Sequence, residues 1–230
     1  LERSEKRRMF TEEARQDYLR WTSRVEIDAD VQMWDVVHEM QRALPRDSII
    51  TNGAGNYTGW AHRFYRYGGF RTQLAPTSGA MGYGVPAAIA AKIVHPERTV
   101  VALAGDGCFL MNGQEIATAV REEANVIVIV INNGIYGTIR MHQEREFPGR
   151  TIATQLTNPD FAAYARSFGA HGETVTHTEQ FAQALDRCMK CGKPSLIEVK
   201  LDPEAITPSS TLKSIRDVAL KSKAVRLESA

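Results

Sequence analysis

A carboxylate at Asp106 and a side-chain amide at Asn133 are the residues of this chain whose types and spacing best suit chemistry. Each follows a short apolar run: residues 100–104 break into Gly105-Asp106-Gly107, and residues 126–131 break into Asn132-Asn133. Two hard oxygen donors, with glycines that open the backbone to close approach, suit Mg²⁺ and a phosphate group. A second glycine-rich turn, Asn52-Gly-Ala-Gly-Asn56, follows another apolar stretch at residues 48–51 and offers a further phosphate loop at the start of a helix.

These donors need elements to hold them together. Both runs around Asp106 and Asn133 are β-branched and nearly uninterrupted, the pattern of strands buried on both faces of a parallel sheet. Between them, residues 114–123 carry Ile116, Ala119 and Val120 at helical spacing, with Asn112 as the expected cap. Strand, helix and strand in about 30 residues form one right-handed crossover. Asp106 and Asn133 then fall just past the C-terminal ends of parallel strands, where open α/β sheets bind ligands. The fold class expected is α/β, a three-layer sandwich with a mostly parallel central sheet.

Elsewhere the periodicity predicts helices at about 11–20, 31–44, 57–65, 86–94, 159–168 and 178–189, and strands at 48–51, 70–74 and 195–201. Three parts are expected: a charged linker helix over 1–28, a diphosphate- and Mg-binding domain over 29–208, and a basic tail over 209–230. Leu1 rather than Met opens the chain, so a piece of a longer polypeptide is expected.

The 230 residues are 43% hydrophobic, enough for one large α/β domain. A net charge of +1 gives no field for nucleic acid or an acidic membrane. No apolar run approaches the roughly 20 residues of a membrane span, and no secretory leader is recognisable. Three cysteines make no disulfide framework, and a cytoplasmic setting is expected. Cys188-x-x-Cys191 lacks a second pair at metal spacing and reads as structural.

Gly53-x-Gly55-x-x-x-Gly59 is one residue too long for a dinucleotide fingerprint. No Asp or Glu lies between Asp47 and Glu97 to hold a ribose, which argues against NAD. Gly-Asp-Gly followed after 24 residues by Asn-Asn is more specific. It resembles the cofactor motif of thiamine diphosphate enzymes. PTSGAMGYGVPAAIAAK, GDGCFLMNGQEIATAV and INNGIYGTIRMHQEREFPGR are similar to the C-terminal cofactor-binding domain of the acetolactate synthase-like group.

That resemblance implies thiamine diphosphate and Mg²⁺ as cofactors, with the metal bound by the side chains of Asp106 and Asn133 and the carbonyl of Ile135. It implies diphosphate contacts from Gly107 and Cys108, from Gly55, Asn56 and Tyr57, and from Tyr136, Gly137 and Thr138. Gly79 and Met81 match the pyrimidine segment, where Met81 would hold the cofactor bent. Acetolactate synthases themselves carry a Trp in the second-substrate pocket; the matching position here is His142, which makes it the candidate substrate contact, with Arg140 and Arg145 nearby. The implied activity is carboligation or decarboxylation of a 2-oxo acid. No catalytic residue is expected in this chain, because the family's activating carboxylate comes from an N-terminal domain across a subunit interface. A homodimer or homotetramer is implied for the full-length enzyme, with FAD, where used, on a middle domain outside this chain. Two other readings stand beside this one: a non-catalytic cofactor-binding or assembly domain, and a Mg-dependent phosphate-ester hydrolase, which would want a second carboxylate beside the metal.

Overall fold

The computed structural model describes residues 4–228, with side chains through 224. Residues 1–3 of the expected linker and 229–230 of the expected tail lie outside the described residues. Six strands form one all-parallel sheet in the order β2-β1-β3-β4-β6-β5. They are β1 (Ile49–Asn52), β2 (Gln73–Leu74), β3 (Val100–Gly105), β4 (Ile127–Asn132), β5 (His171–Val175) and β6 (Ser195–Lys200).

Alternation along the central strands explains why their sequences look uniformly apolar. Val101 and Leu103 of β3, with Ile127, Ile129 and Ile131 of β4, face one layer. Val100, Ala102 and Ala104, with Val128 and Val130, face the other. Each of these two strands therefore feeds two cores, which is why its run reads as apolar on both faces. The first layer is α2 (Met33–Ala43), α3 (Thr58–Phe64) and α9 (Phe181–Lys190), which contribute Met40, Trp60 and Phe181. The second is α4 (Gly84–Val94), α5 (Asp106–Asn112), α6 (Ile116–Arg121) and α8 (Phe161–Ser167). There Phe109 and Phe161 meet edge-to-face at 5.3 Å. Burying each ring contributes up to about 3 kcal/mol.

The small residues of α4 let it lie against the sheet. A Cβ on Gly84 would sit 3.0 Å from the Asn52 carbonyl carbon and 3.0 Å from the Gly53 nitrogen. Thr51 Oγ1 donates to the Gly84 carbonyl at 2.6 Å across the same contact. The strand exit at residues 52–53 is thereby pinned to α4, which follows only after α3 and β2.

Several expectations are corrected. An additional helix, α5, precedes the expected one and begins at Asp106 itself. The expected helix follows as a 3-10 turn over Gly113–Glu115 and α6, with Asn112 at its N-cap position but making no side-chain capping bond. The Asn112 side-chain amide instead donates to the Gly82 carbonyl at 2.9 Å. The second strand shrinks to two residues, and the N-terminal helix α1 starts at Glu5, before Thr11. β5, α7 (Gly137–Glu146) and α10 (Leu212–Glu228) were not expected. α10 is anchored: Leu212 packs with Ile135 and Ile206. Among the described residues no helix is long and apolar enough to cross a membrane.

Candidate functional site

The C-terminal ends of β1, β3 and β4 open into one cleft of about 580 Å³, partly open to solvent. Three loops line it, and each runs into a helix: residues 54–57 before α3, residues 105–108 entering α5, and residues 133–138 entering α7. Helix N-termini present free N–H groups and partial positive charge, so this convergence suits an anion.

Of the residues expected here, Gly55, Asn56, Tyr57, Met81, Asp106, Gly107, Cys108, Asn133, Ile135, Tyr136, Gly137 and Thr138 all line the cleft. Gly79 does not; it stands exposed on the loop two residues before Met81, with φ at +66°. His142 does not either. It is exposed on α7, whose inward positions are taken by Met141 and the fully buried Glu144. The helix turn that carries those residues inward carries His142 outward.

The loops hold one another in place. Thr138 Oγ1 donates to Asn56 Oδ1 at 3.0 Å and accepts from the Asn56 amide at 3.2 Å. The Tyr57 hydroxyl accepts from the Gly53 amide at 3.0 Å and donates to Cys108 Sγ at 3.5 Å. Burial pushes the Tyr57 hydroxyl well above its ordinary range, so it remains a donor. Cys108 Sγ also accepts from the Gly82 amide at 3.1 Å, joining the loop of Met81 to the start of α5. Gly107 must be glycine for packing, because a Cβ there would come within 2.7 Å of the Tyr136 ring.

Asp106 is 3% exposed. Its Oδ1 accepts from the Gly107 amide at 2.9 Å; its Oδ2 accepts from the Gly134 amide and from Asn158 Nδ2, both at 2.8 Å. Gly134 turns its amide toward the carboxylate at φ +70°, a conformation that suits glycine. Burial raises the Asp106 carboxyl above its ordinary value, opposed by these hydrogen bonds. Asn133 Oδ1 makes only a long contact, 3.3 Å, from the Ile135 amide. An isolated bridge ties Ile135 to Gln155 through the Tyr136 amide and the Gly134 carbonyl, which leaves the Ile135 carbonyl outside the pairing.

Charge balance is the telling property. No Lys, Arg or His is among the described residues that line the cleft, and Asp106 is its one acidic residue. Nor do three His, Cys, Asp or Glu side chains cluster as a metal site anywhere among the described residues. The cleft has oxygen donors, helix ends and a buried negative charge without a protein cation.

Asn158, Glu198 and the apolar wall of Trp60, Leu201 and Ile206 are brought to the site by the fold without a signal in the sequence pattern. Asn158 precedes Pro159 and gives no spacing signal. Glu198 sits inside a strand pattern that hides it. Asn132 was visible only as half of a dipeptide.

Residues 53–199 match the family described as thiamine pyrophosphate enzyme, C-terminal TPP binding domain. The chain is 34% identical over 171 residues to the acetolactate synthase isozyme 2 large subunit of Escherichia coli, covering 73% of this chain and 31% of that protein. It is 36% identical over 160 residues to an acetolactate synthase large subunit of Parasynechococcus marenigrum, covering 69% and 26%. It is 33% identical over 178 residues to the sulfoacetaldehyde acetyltransferase of Alcaligenes xylosoxydans xylosoxydans, covering 75% and 30%. The chain thus spans about a third or less of the length of these curated relatives. With a fold, a cleft and a sequence match in agreement, this chain belongs to the C-terminal thiamine pyrophosphate-binding domain family of thiamine pyrophosphate enzymes.

Proposed function

We propose that this domain binds Mg²⁺ and the diphosphate of thiamine diphosphate within a longer enzyme that decarboxylates or ligates 2-oxo acids. The observation that carries the metal is the charge balance of the cleft. A diphosphate entering it meets Asp106 and no basic side chain among the described lining residues, and a divalent cation between the two would balance their charges. The Asp106 carboxylate, the Asn133 side chain and the Ile135 carbonyl are the oxygen donors for that ion. The Cys108 amide, with residues 55–57, 107 and 136–138, would face the phosphate end, the Gly107 amide itself being engaged by Asp106 Oδ1.

When bound, the cofactor supplies the carbon nucleophile and electron sink for cleavage or formation of a bond next to a carbonyl. The chain's own residues bind and orient. Met81, 38% exposed at the cleft rim, provides an apolar support for the organic end, with Gly79 two residues before it on the same loop. Trp60 and Ile206 close the inner wall against water. The activating carboxylate, the substrate contacts and any FAD belong to the remainder of the enzyme, as does assembly into a homodimer or homotetramer in the cytoplasm. A role for His142 at a substrate would require that remainder to cover its exposed face. The phosphate-ester hydrolase reading is weaker, since no second carboxylate among the described residues lines the cleft.

Calorimetric titration of the full-length polypeptide with thiamine diphosphate tests the proposal. Binding is expected to require Mg²⁺, to vanish in Asp106→Ala, and to be absent with NAD. Cofactor affinity unchanged by chelation of Mg²⁺ would defeat it.

A further inference from the structure

A chain of hydrogen-bonded polar groups runs from the exposed Lys200 through the buried Glu198 and Asn132 and the partly buried Asn158 to Asp106. Lys200 Nζ donates to Glu198 Oε1 at 2.6 Å, and Asn132 Nδ2 donates to the same oxygen at 2.6 Å. Asn132 Oδ1 then accepts from Asn158 Nδ2 at 2.8 Å, and the same Nδ2 donates to Asp106 Oδ2 at 2.8 Å. The Gly134 amide adds a second bridge, donating to Asn132 Oδ1 at 3.1 Å as well as to Asp106 Oδ2. Glu198 is 1% exposed and Asn132 is 7% exposed.

The direction of this chain is determined by chemistry. A carboxylate at Glu198 can only accept, so the Asn132 amide must turn its NH₂ there and its oxygen outward. Asn158 then faces two acceptors, Asn132 Oδ1 and Asp106 Oδ2, and must present its NH₂ to both. The reverse orientation would set three oxygens against one another. Asn158 Oδ1 is left buried with no hydrogen-bond partner, a cost tolerated because the NH₂ is needed on the other side.

We propose that Asn158 is a positioning residue for the metal ligand Asp106, oriented in turn by Asn132 and Glu198. This rests on the reading of Asp106 as a Mg²⁺ ligand. The carboxylate offers about four lone-pair positions. Oδ2 has both of its own engaged by Gly134 and Asn158, whereas Oδ1 has one engaged by Gly107. The network therefore locks the carboxylate's rotation and leaves the open position on Oδ1. It does so with neutral donors, so the negative charge that attracts a cation is preserved.

The test uses the full-length polypeptide, with Asn158→Ala and with Asn158→Leu, which keeps the bulk and removes the donor. Two quantities are read: the Mg²⁺ concentration giving half-maximal thiamine diphosphate binding, and the melting temperature without metal. Loss of an outer partner of a metal ligand lowers metal affinity about 10–100-fold, so half-saturation should move to higher Mg²⁺ by that factor in both variants. Saturating Mg²⁺ should restore cofactor binding. A lowered melting temperature with unchanged half-saturation would reduce Asn158 to a packing residue and overturn the proposal. If Asp106→Ala abolishes binding while Asn158→Leu leaves half-saturation unchanged, the positioning role fails and the metal reading stands. If Asp106→Ala also leaves binding unchanged, the metal reading itself fails and takes this one with it.

Discussion

Two buried carboxylates, Asp106 and Glu144, are treated in opposite ways. Glu144 on α7 is fully buried and clamped by arginines: Arg216 Nε at 2.7 Å and Nη2 at 2.6 Å, and Arg140 Nε at 3.0 Å. The Arg216 guanidinium holds its carboxyl down at about 2. Asp106 is nearly as buried, yet every donor it meets is neutral, and burial raises its carboxyl. A carboxylate whose countercharge comes from the chain is a structural fastener, here tying α10 to α7. One left with neutral donors alone keeps its appetite for a cation from outside. On the proposed function, this difference separates a latch from a metal-ligand site.

The comparison breaks or sharpens under substitution. The largest effect is expected for Asp106→Asn, which should lower Mg²⁺-dependent cofactor affinity at least about 100-fold, beyond the usual loss for an outer partner. Its metal-free stability should change by less than about 1 kcal/mol, since relief from burying a charge offsets a lost hydrogen bond. Calorimetry and denaturant melts read the two separately. A large metal-free loss would make Asp106 a fastener too.

Next in size is Arg216→Ala, expected to cost about 3 kcal/mol, the low end for breaking a buried pair because Arg140 still faces Glu144. Hydrogen exchange should show the loss concentrated in α10, with Mg²⁺ half-saturation little changed.

A pH effect follows from the same pair. The folded value of Glu144 lies below its ordinary 4.5, so its stabilising contribution is complete above that value and is lost as pH falls toward about 2. Docking of α10, followed by exchange or by Trp and Tyr signals, should weaken over that window. Arg216→Ala should flatten the dependence.

The smallest effect is expected for the exposed Lys190–Asp186 pair, 2.7 Å apart on α9. Lys190→Ala should cost no more than about 0.5 kcal/mol in a denaturant melt, as exposed pairs do. A larger loss would undercut the claim that burial, rather than pairing, gives Glu144 its weight.

Much of the fold could be read before the structure, because β1, β3, β4 and β6 are apolar runs that end in turn residues. β5 escaped notice because it is an edge strand, with polar Glu173 and Thr174 among its five residues. α7 escaped because its buried position is a charged one, Glu144, so no apolar stripe marks it. α10 reads as a basic tail until Arg216 finds Glu144, 72 residues away. The start of α5 at Asp106 was hidden by the two glycines around it, which signal a turn more strongly than a helix.

By itself the sequence determined the parallel sheet, the strand exits and the candidate ligand residues at those exits. Burial on two faces and tight glycine turns are local demands that leave their mark on neighbouring residues. Only the tertiary structure decided which charges are answered from within and which are left open. That is a matter of distance between groups far apart along the chain: Asn158 and Glu198 meet through Asn132, Arg216 reaches Glu144, and Asp106 meets no cation among the described residues.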